Sequence, residues 1–235
     1  MGFIVAGIIS LFLARKEFGV NFLPQPWQIV RFQLIDGWHV FFSSIAISLY
    51  TISTTFILGL FTNNTVVGYF AAADKIVQAV KGLYQPVSQA IYPVISKKIQ
   101  EDRTAGLIFI KKITKSVGGG MLLISLVLYS MAEPIVSFLL GSQYNQSILL
   151  LKIMAFLPVI VTFSNIFGIQ MMLNLGYKQA FTWILVVAAI TGIILSLVLV
   201  PIYKDLGTAL TLLLVEIFVT IAMFFYLSYR KEIRC

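Results

Sequence analysis

Long apolar runs separated by short polar breaks constrain this chain more than any other feature. A helix of about 20 apolar residues crosses the roughly 30 Å hydrocarbon core of a bilayer. Charged residues make up only 11% of the 235 residues, against about 25% in soluble domains. They are too few to cover a water-facing surface, so we predict an all-α, polytopic membrane helix bundle.

Seven hydrophobic segments follow one another along the chain. They cover residues 2–14, 38–61, 66–95, 117–131, 148–173, 182–200 and 206–227, each end being placed to within a few residues. The first is short for a span and predicts a helix that lacks its first turns. The other six predict complete transmembrane helices.

The domain organisation follows from these segments. We expect a single membrane domain over residues 1–235, made of a truncated helix at 1–14, a cytoplasmic linker at 15–35 and a six-helix lobe at 36–235. Residues 133–146, with an apolar stretch between Pro134 and Gly141, are expected to form a re-entrant or interfacial piece.

Lysine and arginine placement predicts the orientation. Most of the 17 basic residues fall in one set of alternate loops, and cytoplasmic loops carry such an excess. The set comprises Arg15, Lys16, Arg31, Lys97, Lys98, Arg103, Lys111, Lys112, Lys115, Lys178, Arg230, Lys231 and Arg234. We therefore expect the C-terminus in the cytoplasm, and the net charge of +8 reflects topology and contact with lipid headgroups rather than nucleic-acid binding.

A polar stripe along segment 66–95 is the strongest functional signal. At about 100° per residue, one face of the helix carries Asp74, Gln78, Lys81, Gln85, Ser88 and Gln89, with Lys75 just beside it. Charged groups inside a membrane usually face a bundle interior or a water-filled cavity. One interpretation is an ion pair of Asp74 with Lys75 or Lys81 in a packed interface. The other is a hydrophilic translocation path, formed by Asp74, Lys75, Gln78, Lys81, Gln85 and Gln89.

Two further acidic residues are candidates for function. Glu216 lies near the middle of segment 206–227 and is either a satisfied interhelical hydrogen-bonding group or an ion-coupling site for H⁺ or Na⁺. Asp36 is either a helix cap or a gate at the cytoplasmic entrance.

Catalysis has little support in the sequence. His39 is the sole histidine, so we expect no metal site built on paired histidines, and there is no phosphate-binding P-loop or nucleophile elbow. We therefore predict a protein that is not an enzyme and carries no cofactor.

Four stretches together resemble a known family. They are DGWHVFFSSIAISLYTISTTFILGLF (36–61), GYFAAADKIVQAVKGLYQPVSQAIYPVISKK (68–98), EPIVSFLLGSQYNQSILLLKIMAFLPVI (133–160) and LGYKQAFTW (175–183). This ordered set resembles the Wzx-type polysaccharide flippases of the multidrug/oligosaccharidyl-lipid/polysaccharide exporter superfamily. The resemblance covers about residues 30–230 and corresponds to the second, C-terminal lobe of a two-lobe exporter.

The resemblance implies a function, a location and partners. The implied function is ion-coupled, alternating-access flipping of oligosaccharide units linked to undecaprenyl pyrophosphate, for O-antigen, lipopolysaccharide or other surface polysaccharides. The implied location is the bacterial inner membrane, and the implied partners are membrane lipids, a missing N-terminal lobe and polysaccharide polymerase machinery. Three alternatives stay open: a multidrug/cation antiporter of the same superfamily, a membrane-embedded enzyme of glycan assembly, and an inactive truncated lobe.

Overall fold

The computed structural model describes residues 2–18 and 26–232 of the chain. Their contacts divide the chain into two units, residues 1–38 and 39–235. The first unit contains α1 (Gly2–Phe18) and the beginning of α2 (Trp27–Phe61). Most of the predicted linker at 15–35 is therefore helical where it is described, while residues 19–25 lie outside the described part.

The second unit is a helical bundle, as the apolar runs predict. After α2 come α3 (Asn64–Glu101), α4 (Arg103–Ser130), α5 (Ala132–Leu139), a 3₁₀ turn (Ser142–Tyr144), α6 (Gln146–Met154), α7 (Leu157–Asn165), a π-helical segment (Ile166–Leu173) and α8 (Lys178–Tyr229). The predicted re-entrant or interfacial piece consists of α5 and the 3₁₀ turn, which Gly141 connects at a φ of 88°.

One aspartate shapes the tight connection between α3 and α4. The backbone N–H of Asp102 donates to the Lys98 carbonyl and so completes α3. Its side chain accepts from the Thr104 N–H at 2.8 Å and caps the first turn of α4. A Cβ on Gly106 would lie 3.0 Å from the backbone nitrogen of Ile99, so glycine permits this close approach of the two helices.

The 52-residue helix α8 is a hairpin of two helices. Lys204 has non-helical angles (φ 52°, ψ −125°) and separates arms 178–203 and 205–229. A Cβ on Gly207 would lie 2.3 Å from the Leu199 carbonyl oxygen, and one on Gly192 would lie 3.3 Å from the Val215 side chain. The arms thus run antiparallel in contact, and they match the predicted segments 182–200 and 206–227.

Four helical stretches are long and apolar enough to cross a membrane. They are Gly37–Phe61, Arg103–Ser130, Gln146–Leu173 and Lys178–Tyr229. The predicted all-α class is confirmed, whereas the number of six transmembrane helices stays a prediction. The polar stripe explains why α3 is not among the four, although its 38 residues would extend about 57 Å.

Hydroxyl groups attach residues 39–61 of α2 to α8. The Thr182 hydroxyl donates to the His39 carbonyl at 3.0 Å, and the Ser43 hydroxyl donates to Thr182 at 3.1 Å. Farther along the same helices, the Ser196 hydroxyl donates to Thr54 at 3.2 Å. Such interhelical bonds are worth about 0.6 kcal/mol each in membranes, and here they link two otherwise apolar helices at two levels.

Charged and aromatic side chains join three chain segments at one end of the second unit: the start of α4, the turn before α8 and the residues after α8. Arg103, at the start of α4, donates to the Glu232 carboxylate beyond the end of α8. The Tyr177 hydroxyl, in the turn before α8, donates to the same carboxylate at 2.8 Å. Arg230 lies over the Tyr177 ring at 5.5 Å. This basic end brings together loops that the sequence assigns to one side of the membrane; Arg234 lies outside the described residues.

Candidate functional site

The polar stripe of α3 lines an open groove of about 810 Å³. Gln78, Lys81, Gln85 and Gln89 all face this space, together with Tyr84, Ser88 and Tyr92 of the same helix. The opposite walls come from Val40 and Ile47 of α2 and from Val161, Asn165, Ile169 and Leu173. Nearly all polar groups of the groove therefore come from one helix face, and the other walls are mostly apolar.

A smaller cavity of about 40 Å³ continues from the groove. Gln78 and Lys81 line both spaces and so connect them. The small cavity adds Asp74 from α3 and Glu216 from the second arm of α8. The sequence treated Glu216 as a separate candidate, and the fold brings it to the stripe. Thr51 and Thr55 of α2 complete the polar lining.

Among the residues that the structure describes, one side chain hydrogen-bonds directly to Glu216. The Tyr50 hydroxyl, from α2, donates to its carboxylate at 2.7 Å. Tyr50 is buried, with 2% of its surface exposed. Lys81 provides a favourable coulombic interaction with the same carboxylate. Glu216 is thus held between a fixed neutral donor and a cation that borders the groove.

Within the described residues, Asp74 forms no ion pair with Lys75 or with Lys81. Asp74 instead accepts a hydrogen bond from the Gln78 amide one turn later, at 3.3 Å. Ion pairs in the described part of the chain join Lys97 to Glu101 and Arg103 to Glu232. No direct ion pair within the described residues therefore neutralises Asp74 or Lys81.

Two predicted site residues are placed differently from the rest. Lys75 is exposed and lines neither cavity, because it is turned about 100° from Asp74 on the helix. Asp36 lies inside α2, nine residues after its start at Trp27, so the helix-cap interpretation does not hold. Its side chain is outside the described part of the structure, and its role as a gate stays a prediction.

A buried glutamine forms hydrogen bonds to Ser88, one of the residues that line the groove. Gln170, in the π-helical segment and 1% exposed, donates to the Ser88 hydroxyl at 2.9 Å and to its carbonyl at 3.0 Å. Within the described part of the chain, the Gln170 amide oxygen has no hydrogen-bond partner. π-Helical turns are frequent at functional sites. Sequence reasoning missed Gln170, although a glutamine in an otherwise apolar stretch was a detectable signal.

Comparisons with known proteins find one matching family and two similar curated proteins. Residues 1–98 match a family described as "Polysaccharide biosynthesis protein". A "Putative O-antigen transporter" of Escherichia coli (strain K12) is 37% identical over 99% of this chain and 56% of its own length. A protein of the same name from Shigella dysenteriae is 27% identical over 95% of the chain and 56% of its own length.

The chain spans about half the length of these curated relatives. No solved structure matches the chain significantly. The groove of α3 lies partly within the residues matched to the family, since those end at Lys98, whereas Glu216 lies beyond them.

Proposed function

We propose that the chain belongs to the family described as "Polysaccharide biosynthesis protein", whose match covers residues 1–98, and that it forms one lobe of a transporter for lipid-linked oligosaccharides. The substrate would be an oligosaccharide unit on undecaprenyl pyrophosphate, moved across the bacterial inner membrane toward the cell surface. The names of the two relatives support the class of substrate. Length and hydropathy of the helices support the membrane location.

The groove beside α3 is the observation that carries this proposal. Its volume of about 810 Å³ lies within the range of sites that hold organic ligands, about 300–1,000 Å³. Lys81 would attract the pyrophosphate as a point charge. The amides of Gln78, Gln85 and Gln89 would exchange hydrogen bonds with sugar hydroxyls, since each amide both donates and accepts.

The proposed topology uses six spans in this lobe. They are residues 39–61 of α2, then α3, α4, the stretch Gln146–Leu173 and the two arms of α8. The basic end, with Arg103, Tyr177 and Arg230, would face the cytoplasm, because cytoplasmic loops carry excess lysine and arginine. The hairpin turn at Lys204 would then face the periplasm.

We further propose that Glu216 couples transport to an ion gradient. Its carboxylate is held by Tyr50 and lies in the small cavity beside Asp74 and Lys81. A proton or Na⁺ that binds to Glu216 would neutralise its carboxylate and weaken the attraction between Glu216 and Lys81. The Lys81 ammonium would then be available to bind the pyrophosphate. Release of the ion would restore the attraction and weaken substrate binding.

Glu216→Gln tests the coupling step. The amide keeps the shape and the acceptor for the Tyr50 hydroxyl but cannot change charge. We expect transport in proteoliposomes to lose its stimulation by an imposed H⁺ or Na⁺ gradient, whichever drives the unmodified protein. Glu133→Gln, an exposed carboxylate on α5 outside both cavities, is expected to keep that stimulation. Equal gradient dependence of Glu216→Gln and the unmodified protein would refute the coupling role.

The transport function itself is tested by domain exchange. In the E. coli relative, the matched 56% of its length is replaced by this chain, and the chimera is expressed in a strain that lacks its own O-antigen transporter. We expect O-antigen to reappear at the cell surface. A chimera that inserts normally and exports cationic drugs but no O-antigen would contradict the proposal and favour the antiporter alternative.

A further inference from the structure

We propose that Gln170 is a positioning residue, which orients the hydroxyl of Ser88 as a hydrogen-bond donor toward the sugar part of the substrate. Since it concerns the groove in which the oligosaccharide would bind, this role of Gln170 rests on the proposed function. Gln170 is 1% exposed and is not among the residues that line the groove. It acts through Ser88, which lines the groove and is half-buried.

The Ser88 carbonyl determines which way the Gln170 amide points. A carbonyl oxygen can only accept a hydrogen bond, so the Gln170 atom that lies 3.0 Å from it is the amide nitrogen and not the amide oxygen. The same nitrogen lies 2.9 Å from the Ser88 hydroxyl oxygen. An amide nitrogen carries two hydrogens, so it donates to both groups. The Ser88 hydroxyl is therefore an acceptor toward Gln170.

The hydroxyl hydrogen of Ser88 has no acceptor among the described residues. Other helical hydroxyls of this chain donate to the carbonyl four residues earlier, as those of Ser44 and Thr114 do. Within the described part of the chain, the Ser88 hydroxyl makes no such bond and only accepts from Gln170. A hydroxyl has one hydrogen to donate besides the bonds that it accepts. That hydrogen is left for a ligand in the groove.

Tyr84 can extend this donor but does not remove it. Its hydroxyl lies beside Ser88 and Gln170, and its side chain lines the groove. If Ser88 donates to the Tyr84 oxygen, the Tyr84 hydrogen becomes the one that faces the groove. The three groups would form a closed ring, without a donor for a ligand, only if Tyr84 donated to the Gln170 amide oxygen. Among the described residues that oxygen has no partner, so a donor remains.

Ser88 lies away from the charged end of the groove. It follows Lys81 by seven residues, which is two helical turns or about 10 Å along α3. Lys81 also lines the small cavity together with Asp74 and Glu216, whereas Ser88 lines the groove and not the small cavity. A pyrophosphate held at Lys81 therefore leaves Ser88 to the sugars that are linked to it. Their ring, hydroxyl and carbonyl oxygens accept hydrogen bonds.

The test measures binding of two lipids to the purified chain in nanodiscs by native mass spectrometry. One lipid is undecaprenyl pyrophosphate, and the other is the same lipid carrying the O-antigen unit of the strain used for the domain exchange. We expect Ser88→Ala and Gln170→Met each to weaken binding of the second lipid about three- to tenfold, which is the effect of one hydrogen bond. Binding of undecaprenyl pyrophosphate alone should stay unchanged in both variants.

A double variant shows whether Gln170 acts through Ser88. If it does, Gln170→Met adds no further loss in a protein that already carries Ser88→Ala, whereas independent effects would multiply. Asn174→Leu is the matched control. Its amide donates to the Gln170 backbone carbonyl at 3.0 Å and lies outside the groove lining. This change removes an amide close to Gln170 in the chain, and we expect it to leave binding of both lipids unchanged.

Four outcomes would overturn this role of Gln170. Multiplied losses in the double variant would mean that Gln170 does not act through Ser88. Equal weakening of both lipids would mean that Ser88 contacts the pyrophosphate or that the groove is distorted. Unchanged binding of both lipids in the variants would leave Ser88 without a ligand while the proposed function stands. If the unmodified chain binds neither lipid, the proposed function itself fails, and the role of Gln170 falls with it.

Discussion

Replacing Lys81 by glutamate is expected to reduce surface polysaccharide to background in cells that depend on the protein. Lys81 lines both the groove and the small cavity beside it. The variant places a third carboxylate beside Asp74 and Glu216 and faces an anionic substrate with negative charge. Like-charge contacts of this kind cost several kcal/mol, which corresponds to a decrease of about a hundredfold or more in substrate affinity.

Lys75→Glu is the matched control for this prediction. It makes the same charge change on the same helix, but Lys75 is exposed and outside both cavities. We expect near-normal surface polysaccharide from it. Membrane levels of both variants, measured by immunoblot, separate transport from folding, and Lys81→Gln should show an intermediate defect. Equal activity of Lys81→Glu and Lys75→Glu would exclude the α3 stripe as the substrate path.

Gly207→Ala is expected to destabilise the bundle strongly. The added Cβ would lie 2.3 Å from the Leu199 carbonyl oxygen and 2.6 Å from its carbon. Both atoms belong to the backbone of the other arm of α8, so the arms must separate. Overpacking costs about 1–3 kcal/mol, which corresponds to a decrease of about 2–12 °C in the thermal unfolding midpoint for a chain of this size.

Gly59→Ala is the control for the hairpin. Apart from the adjacent residues and backbone of its own helix, no described atom lies within 4 Å of the position that its Cβ would take, and alanine is the better helix former by about 1 kcal/mol. We expect an unchanged or slightly higher unfolding temperature, measured in the same detergent. If Gly207→Ala unfolds at the same temperature as Gly59→Ala, the close contact at Leu199 does not hold the arms together.

Local periodicity accounts for what the sequence predicted well. The apolar runs predicted the helical class and the two arms of α8, because a membrane-crossing helix requires unbroken apolar length. The number of six spans stays a prediction. The 3.6-residue repeat placed Gln78, Lys81 and Gln85 on one face of α3, and those residues line the groove. The same reasoning placed Lys75 in the translocation path, whereas its side chain lies outside both cavities. The angular position of a residue on a helix does not determine where the neighbouring helices pack.

Tertiary contacts account for what the sequence did not predict. The hydrogen bond of Tyr50 to Glu216 joins residues 166 positions apart, and no spacing rule connects them. Gln170 meets Ser88 through a π-helical turn, whose formation depends on packing rather than propensity. The helix α2 begins at Trp27, well before the apolar run, because residues such as Gln28 and Arg31 are good helix formers although they are polar.

Substrate protection of a single cysteine tests the central claim most directly. Cys235 is the sole cysteine, so Cys235→Ser gives a cysteine-free background for two variants. Gln85→Cys places a thiol in the groove, and Leu83→Cys places one on the opposite face of α3, where Leu83 is 59% exposed. A thiol must ionise to react, which requires water at its position. We predict that a charged, water-soluble thiol reagent modifies Gln85→Cys, that undecaprenyl-pyrophosphate-linked oligosaccharide slows this modification, and that Leu83→Cys does not react. Equal reactivity at both positions, or modification of Gln85→Cys that substrate leaves unchanged, would contradict a substrate path along α3.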